Sequence, residues 1–125
     1  MKNPVGWFEI YVDDLNRAQK FYEKVLDVQL TELQNPTKDE LLMLAFPADM
    51  EQHGSSGALV HMNDVKAGAN SVIVYFMSED CSIEESRVSN AGGRIITPKM
   101  SIGEYGFISL CNDTEGNMFG LHSLK

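Results

Sequence analysis

The stretch that decides the fold, from Trp7 to Leu30, reads WFEIYVDDLNRAQKFYEKVLDVQL. Apolar and polar residues alternate over residues 5–12, as in a strand, because successive side chains of a strand point to opposite faces. Asp14 is then placed to cap a helix whose apolar residues recur at the spacing of one buried stripe. The stripe would comprise Ala18, Phe21, Tyr22, Val25 and Leu26. The stretch therefore predicts a strand followed directly by an amphipathic helix.

The two faces of this first strand differ in character. By alternation, the face toward the helix would carry Phe8, Ile10 and Val12. The opposite face would carry Trp7, Glu9 and Tyr11. Glu9 thus places a carboxylate in the middle of an aromatic and polar face. Three explanations are open: the carboxylate holds a metal, meets a cationic ligand, or faces water.

The rest of the chain repeats the same order of elements. Three further strands are predicted in the first half, at 28–33, 41–46 and 57–62, with the last two paired as a hairpin. The second half offers a strand at 71–80, a helix from Cys81 closed by paired glycines, and strands at 94–100, 107–112 and 118–123. An offset of 65 positions relates the halves, placing Val12 on Met77 and Leu42 on Phe107. The sequence predicts an α+β fold of two tandem βαβββ modules.

Length and charge set the limits on domain organisation and partners. A chain of 125 residues predicts one domain over residues 1–125, with module one at about 5–62, a linker at about 63–70 and module two at about 71–123. The net charge of -8 makes a nucleic-acid partner a poor fit, since phosphates would be repelled. No run of eighteen apolar residues and no leader pattern occurs, which predicts a cytoplasmic protein without a membrane partner. Cys81 and Cys111 are predicted to be free thiols.

Both ends of the chain carry a family pattern. The opening stretch resembles the first module of the vicinal oxygen chelate superfamily, which includes glyoxalases, extradiol dioxygenases and the bleomycin and fosfomycin resistance proteins. The closing stretch, GEYGFISLCNDTEGNMFGLH at 103–122, resembles the end of the second module, whose hairpin commonly has an Asp-x-x-Gly-Asn turn. Here that turn is 113–117. The resemblance implies a curved mixed sheet around a cleft, on the face opposite the helices, and a homodimer whose pockets are shared between chains.

Metal-dependent members of the superfamily hold one divalent ion with side chains from the first and last strands of each module. Carried over by position, these ligands fall on Trp7, on Val72, on Gly120 and within 58–60. Indole nitrogen is only a donor, and apolar side chains offer no ligand atom. The usual metal site is therefore expected to be missing, and no cofactor is expected. A displaced site built from Glu9, His122 and His61 is the alternative that would hold a divalent metal.

Several side chains are candidates for a ligand pocket. Trp7, Tyr11 and Phe76 would face inward by alternation, Tyr105 and Phe107 lie at the loop that enters a strand of module two, and His122 shares the face of Gly120. Aromatic walls with Glu9 suit a planar or cationic molecule. Glu9 could also act as a general base if enclosure raises its pKa. The structural alternative is that the rings fill a closed core and that Glu9 and His122 lie near solvent.

Three functions follow from these candidates. The first is a binding protein that sequesters a small organic molecule without the family's metal, like the drug-resistance members. The second is a glyoxalase-like lyase or isomerase, or a dioxygenase-like enzyme, that uses Glu9 as a base or the displaced metal site. The third is a small-molecule-responsive partner protein without catalysis.

Overall fold

The structure is a computed structural model that describes residues 3, 5, 7–34, 41–49, 51–68 and 70–125. Module one consists of β1 (Phe8–Tyr11), α1 (Leu15–Leu26), β2 (Thr31–Leu33), β3 (Leu41–Ala45) and β4 (Gly57–Met62). Module two consists of β5 (Tyr75–Met77), α2 (Cys81–Val88), β6 (Arg94–Ser101), β7 (Phe107–Asn112) and β8 (Met118–Ser123). The predicted α+β fold of two tandem βαβββ modules is confirmed.

Each module forms its own four-stranded mixed sheet. The strand orders are β1-β4-β3-β2 and β5-β8-β7-β6. The first strand of each module pairs in parallel with the last, as β1 does with β4, and the remaining pairs are antiparallel. The predicted hairpin of β3 and β4 is present.

Helix α1 begins at the predicted N-cap. The Asp14 side chain accepts a hydrogen bond from the backbone N–H of Arg17, which satisfies one of the free donors of the first turn. Asp27 ends the helix in the left-handed conformation. Four residues of the predicted stripe are buried: Ala18, Phe21, Tyr22 and Val25. No helix in the described part of the chain has the length and hydropathy needed to span a bilayer.

A single hydrophobic core joins the two modules on the helix side of both sheets. Its aromatic members contact one another with ring centroids 5.0–6.0 Å apart. They are Phe8, Phe21, Tyr22, Phe46, Phe76 and Phe119. Cys81 and Cys111 lie in the same core as free thiols, and burial raises the pKa of the Cys111 thiol.

The number of residues that separates equivalent positions of the two modules is not constant. Tyr11 of β1 pairs with Val60 of β4, and Met77 of β5 pairs with His122 of β8. Tyr11 and Met77 therefore occupy equivalent positions, and the first strands of the modules are 66 positions apart. Strands β3 and β7 keep the predicted offset of 65, whereas β4 and β8 differ by 62 (60 to 122). Placing Val12 on Met77 was therefore wrong by one residue. Because side chains alternate, this shift exchanges the two faces of β5.

Candidate functional site

Glu9 lies on the outer face of the first sheet, which we define as the face turned away from the helices. The indole Nε1 of Trp7 donates to Glu9 Oε2 at 3.3 Å, and the Tyr11 hydroxyl donates to Oε1 at 2.9 Å. The hydrogen bond to Glu9, followed by burial, raises the pKa of Tyr11, so its hydroxyl remains a donor at neutral pH. The carboxylate is exposed, yet two aromatic residues fix its orientation.

Glu9 has no cationic partner within the described part of the chain, where the two ion pairs found are Arg17 with Glu115 and Lys99 with Asp80. The donors that the structure describes at this carboxylate, the indole of Trp7 and the hydroxyl of Tyr11, are both neutral. An oriented and uncompensated carboxylate beside aromatic rings can accept a hydrogen bond from a cation, which would also gain from the ring faces.

A cleft with a volume of about 240 Å³ opens beside Glu9, at the seam between the modules. Its walls come from β1, from α1, from residues 65–68 and 70–74 of the segment connecting the modules, and from the β7–β8 turn with the start of β8. The lining residues are Glu9, Ile10, Tyr11, Tyr22, Val65, Lys66, Gly68, Asn70, Val72, Val74, Asn117, Met118 and Phe119. Most of them are apolar, with a few polar groups at the edge, as in many small-molecule sites.

The Asp-x-x-Gly-Asn turn of module two fixes the shape of this cleft. The Asn117 side chain donates to the Tyr11 carbonyl at 3.0 Å and accepts from the Gly68 N–H at 2.8 Å, so it links β1 to the connecting segment. Asp113 holds the turn itself, accepting from the backbone N–H groups of Glu115 and Asn117. The turn that carried the family resemblance is thus an inter-module connection.

Two buried acidic residues strengthen that connection. Glu115 accepts from the backbone N–H groups of Asp13 and Asp14 and from the Arg17 guanidinium at 2.7 Å. Burial acts to raise the pKa of Glu115, but these donors outweigh it and lower the pKa to about 2. Asp113 accepts from the Tyr22 hydroxyl at 2.6 Å, and burial raises the pKa of both groups. The two carboxylates attach module two to the beginning and the middle of α1.

Two of the predicted pocket residues lie on the helix side instead. Phe76 packs against Phe8, Tyr22 and Phe46, so its predicted orientation toward the cleft is wrong. The cause is the offset of 66, which makes Phe76 equivalent to Ile10 and not to Tyr11. A separate apolar pocket on that side exposes part of its ring. Phe107 also packs against the core, with the Lys99 ammonium 4.7 Å from its ring centroid.

Tyr105 and His122 form a second group, on module two. His122 shares the outer face with Gly120, because Phe119 and Leu121 between and beside them are buried in the core. Its Nε2 donates to the Tyr105 carbonyl at 2.7 Å, while the Tyr105 side chain is exposed. Neither residue lines the Glu9 cleft.

The positions at which the resemblance places metal ligands do not fit a metal ion. Glu9 pairs with Ala58 and Tyr75 pairs with Gly120, so the equivalent of Trp7 is Ile73 and not Val72. None of Trp7, Ala58, Ile73 and Gly120 supplies a ligand atom. At Gly120, moreover, an added Cβ atom would overlap the ring of Tyr75. An aromatic ring fills the space from which a side chain of the last strand would extend.

The displaced metal site is not assembled either. His61 shares the helix-side face with Leu59, and its Nδ1 donates to the Val12 carbonyl at 3.0 Å, away from Glu9. Across the residues that the structure describes, no three His, Cys, Asp or Glu side chains are grouped to share an ion. Glu9, His122 and His61 therefore do not converge.

Sequence reasoning missed three polar residues that line the cleft and a fourth residue, Tyr75, that occupies the space beside Gly120. Lys66 and Asn70 belong to the connecting segment, Asn117 to the β7–β8 turn, and Tyr75 to β5. No local pattern marked the first two. The pairing of Tyr75 with Gly120 was within reach, because a glycine in a strand often marks a close approach by another group.

Comparisons with known proteins agree on the fold. The sequence profile of the Glyoxalase/Bleomycin resistance protein/Dioxygenase superfamily matches residues 5–121. A glyoxylase/bleomycin resistance protein/dioxygenase domain from Frankia sp. EAN1pec has a TM-score of 0.71 at 16% identity, with both chains covered completely. Glyoxalase I from Zea mays has a TM-score of 0.75 at 21% identity, covering 96% of this chain but 46% of that one. This chain thus spans about half of the maize enzyme. Among curated proteins, no sequence match was found.

Proposed function

Because this chain belongs to the Glyoxalase/Bleomycin resistance protein/Dioxygenase superfamily, we propose that it binds a small planar or cationic organic molecule in the cleft beside Glu9. We propose further that binding does not use the divalent ion of the metal-dependent members. The observation that carries the proposal is the Glu9 carboxylate, oriented by Trp7 and Tyr11 at the edge of an apolar cleft.

Charge and shape both support this ligand class. The chain carries 18 acidic against 10 basic residues, so its average field attracts cations and repels anions. Glu9 already receives two neutral donors, and among the described residues it has no positively charged partner. Sequestration of such a compound, as in the drug-resistance members, would require no reacting group beyond these. The cytoplasmic location expected from the sequence suits this role.

The proposal includes a homodimer in which a second copy of the chain covers the outer face of module two. Met77 is 71% exposed there, and the Tyr75 side chain next to it on the same face is 45% exposed. Large apolar side chains grouped on one sheet face are typical of a protein interface. Light scattering should give the dimer mass, and Met77→Lys should shift it toward the monomer. A monomeric wild type at micromolar concentration would contradict this part of the proposal.

An enzymatic role for Glu9 is the competing candidate. The specific observation in its favour is the fixed orientation of the carboxylate by two donors, which is how a general base is positioned. A partner chain over the cleft would supply the enclosure that raises the pKa of such a base.

Binding can be measured through Trp7, the single tryptophan of the chain, whose side chain is half exposed beside Glu9. A library of planar amines and neutral analogues would be titrated while its fluorescence is recorded. Cations should perturb Trp7 at lower concentration than neutral analogues, and Glu9→Gln should weaken them about tenfold, which corresponds to one charge-assisted hydrogen bond. Glu79→Gln, an equal change at an exposed residue of the β5–α2 connection, is the matched control.

Two results would overturn the proposal. One is unchanged affinity for cations in Glu9→Gln, which would remove the carboxylate from the site. The other is a stoichiometric divalent metal in protein purified without a tag or a chelator, because the proposed site does not use one. Turnover of a bound compound that is lost in Glu9→Gln would instead establish the enzymatic candidate.

A further inference from the structure

A second charged residue, Lys66, lines the same cleft as Glu9. Its side chain is exposed, and it makes neither an ion pair nor a hydrogen bond with any residue that the structure describes. The cleft therefore has an ammonium group and a carboxylate, and the two are not paired with each other, since no ion pair joins them within 4.0 Å. Each is free to meet a ligand group of opposite charge.

Lys66 is placed by the backbone that follows it. The Ala67 N–H donates to Asp13 Oδ1 at 3.1 Å, and the Gly68 N–H donates to Asn117 Oδ1 at 2.8 Å. These bonds attach the connecting segment to the end of β1 on one side and to the β7–β8 turn on the other. Because both attachments belong to ordered elements, Lys66 begins from a fixed point at the cleft wall, which reduces the entropy lost when its ammonium meets an anion.

Most of the other residues that line the cleft are apolar or aromatic. Ile10 and Phe119 belong to the hydrophobic core, and the valines 65, 72 and 74 line the cleft from the connecting segment. Burying the apolar body of a ligand against these side chains is favourable, whereas a polar body would lose its hydrogen bonds to water. The volume of about 240 Å³ lies below the roughly 300–1,000 Å³ typical of drug-sized ligands. The fitting molecule is small, with an apolar or aromatic body.

From this arrangement we propose that the cleft binds a small zwitterion with an apolar body, placing the ligand's cationic group at Glu9 and its carboxylate at Lys66. The inference rests on the proposed function and adds the anionic end of the ligand. It also explains why, in a chain with an excess of acidic residues, this lysine has no acidic partner among the residues that the structure describes.

Three probes that share a phenethyl skeleton and differ in the charged groups attached to it test the inference: phenethylamine, phenylalanine and 3-phenylpropionate. Affinity would be measured by calorimetry and by Trp7 fluorescence, which the phenyl ring does not obscure. Phenylalanine should bind best. Lys66→Gln should weaken phenylalanine about fivefold, toward the affinity of phenethylamine, and leave phenethylamine unchanged. Lys20→Gln, an equal change at an exposed position of α1 outside the cleft, should alter neither affinity.

The outcomes separate this inference from the proposed function. If phenethylamine binds at least as tightly as phenylalanine and still depends on Glu9, the zwitterion inference is wrong and the cation site stands. If Lys66→Gln weakens the binding of phenylalanine and of phenethylamine equally, the lysine acts on the fold and not on the ligand's carboxylate. That result also overturns the inference. If none of the three probes binds, or 3-phenylpropionate binds best, both proposals fail.

Discussion

The first strands of the two modules have the same surroundings but opposite chemistry. Glu9 of β1 stands beside Ala58 of β4, and Tyr75 of β5 stands beside Gly120 of β8 in the same parallel register. In module one the position presents a carboxylate held by two aromatic donors. In module two a tyrosine ring lies across a glycine and fills the space itself. The repeated backbone thus fixes the face on which a side chain lies. The space available to that side chain depends on the residue paired with it on the last strand.

The connections after the third strands differ in the same way. In module two the tight turn at 113–117 attaches to α1 and β1 of the other module through Glu115 and Asn117. In module one the corresponding connection is the longer segment 46–56, whose Ser56 hydroxyl donates to the Phe46 and Pro47 carbonyls within the same segment. One module therefore carries the Glu9 carboxylate, and the other carries the connection that attaches to its strand.

The largest expected effect comes from the neighbouring residues Tyr75 and Phe76, which face opposite sides of β5. Phe76→Ala should lower the free energy of unfolding by about 3 kcal/mol, because it removes a ring from the shared aromatic core. Tyr75→Ala, at a half-exposed position, should cost less than about 1 kcal/mol. Denaturant unfolding would measure both. Equal costs would contradict the offset of 66 and return Phe76 to the outer face.

The inter-module connection should respond to acid. Since the folded pKa of Glu115 is lowered from 4.5 to about 2, its ionised form stabilises the fold above pH 4.5, and that contribution is lost as the pH falls toward 2. Glu115→Gln should cost about 2–3 kcal/mol at pH 7 and flatten the loss of stability between about pH 5 and 2.

The measurement needs a comparison with wild type and one control variant. Burial raises the pKa of Asp113, so ionisation of this group lowers the stability of the fold as the pH rises above 3.8, opposite to the effect of Glu115. The contribution of Glu115 is therefore the difference between wild type and Glu115→Gln at each pH. Glu79→Gln, at an exposed glutamate, should leave the pH dependence as in wild type. An unchanged pH dependence in Glu115→Gln would show that another carboxylate controls acid unfolding.

The ring over Gly120 predicts a smaller effect. Gly120→Ala should cost about 1 kcal/mol, because the new Cβ atom displaces the Tyr75 ring toward solvent. In a Tyr75→Ala background the same substitution should cost almost nothing, so the two changes should couple by about 1 kcal/mol in a double-mutant cycle. Additive effects would mean that the ring does not rest on the glycine.

The smallest expected effect is at Glu9. Glu9→Gln should change the free energy of unfolding by less than about 0.5 kcal/mol, because the residue is exposed. It should, however, lower the pKa of Tyr11 toward its usual value of 10, since the hydrogen bond to the carboxylate is the main cause of the increase. Tyrosine ring NMR titration would detect the shift. An unchanged Tyr11 pKa would contradict a hydrogen bond between the Tyr11 hydroxyl and the Glu9 carboxylate.

Local patterns predicted the elements well, because each element is specified by neighbours in sequence. The stripe of Ala18, Phe21, Tyr22 and Val25 defined α1, and alternation placed Glu9 opposite the helix. The orientation of Phe76 failed because it depends on the lengths of the connections between equivalent strands, which the pattern of neither strand contains. One residue of difference is enough to exchange the faces of a strand.

The composition of the cleft was out of reach for a related reason. Lys66 and Asn117 come from connections far apart in sequence, and only the packing of the two modules brings them to β1. Asn117 is held by hydrogen bonds with backbone groups, and Lys66 is placed by the backbone N–H groups of the two residues that follow it. Such bonds depend on position and hardly on the residue type of the partner. Glu115 carried the same difficulty, since a glutamate in a turn predicts solvent exposure and here the side chain is fully buried.

The two buried thiols make this protein convenient for chemical labelling. Cys81 and Cys111 are inaccessible in the core, and the raised pKa of Cys111 further lowers its reactivity. A cysteine introduced at the exposed position of Lys20 on α1, away from the proposed dimer face, would be the preferred target of a thiol reagent without removal of the native cysteines. A spin label there would report the distance between two copies of the chain and would thereby test the proposed dimer.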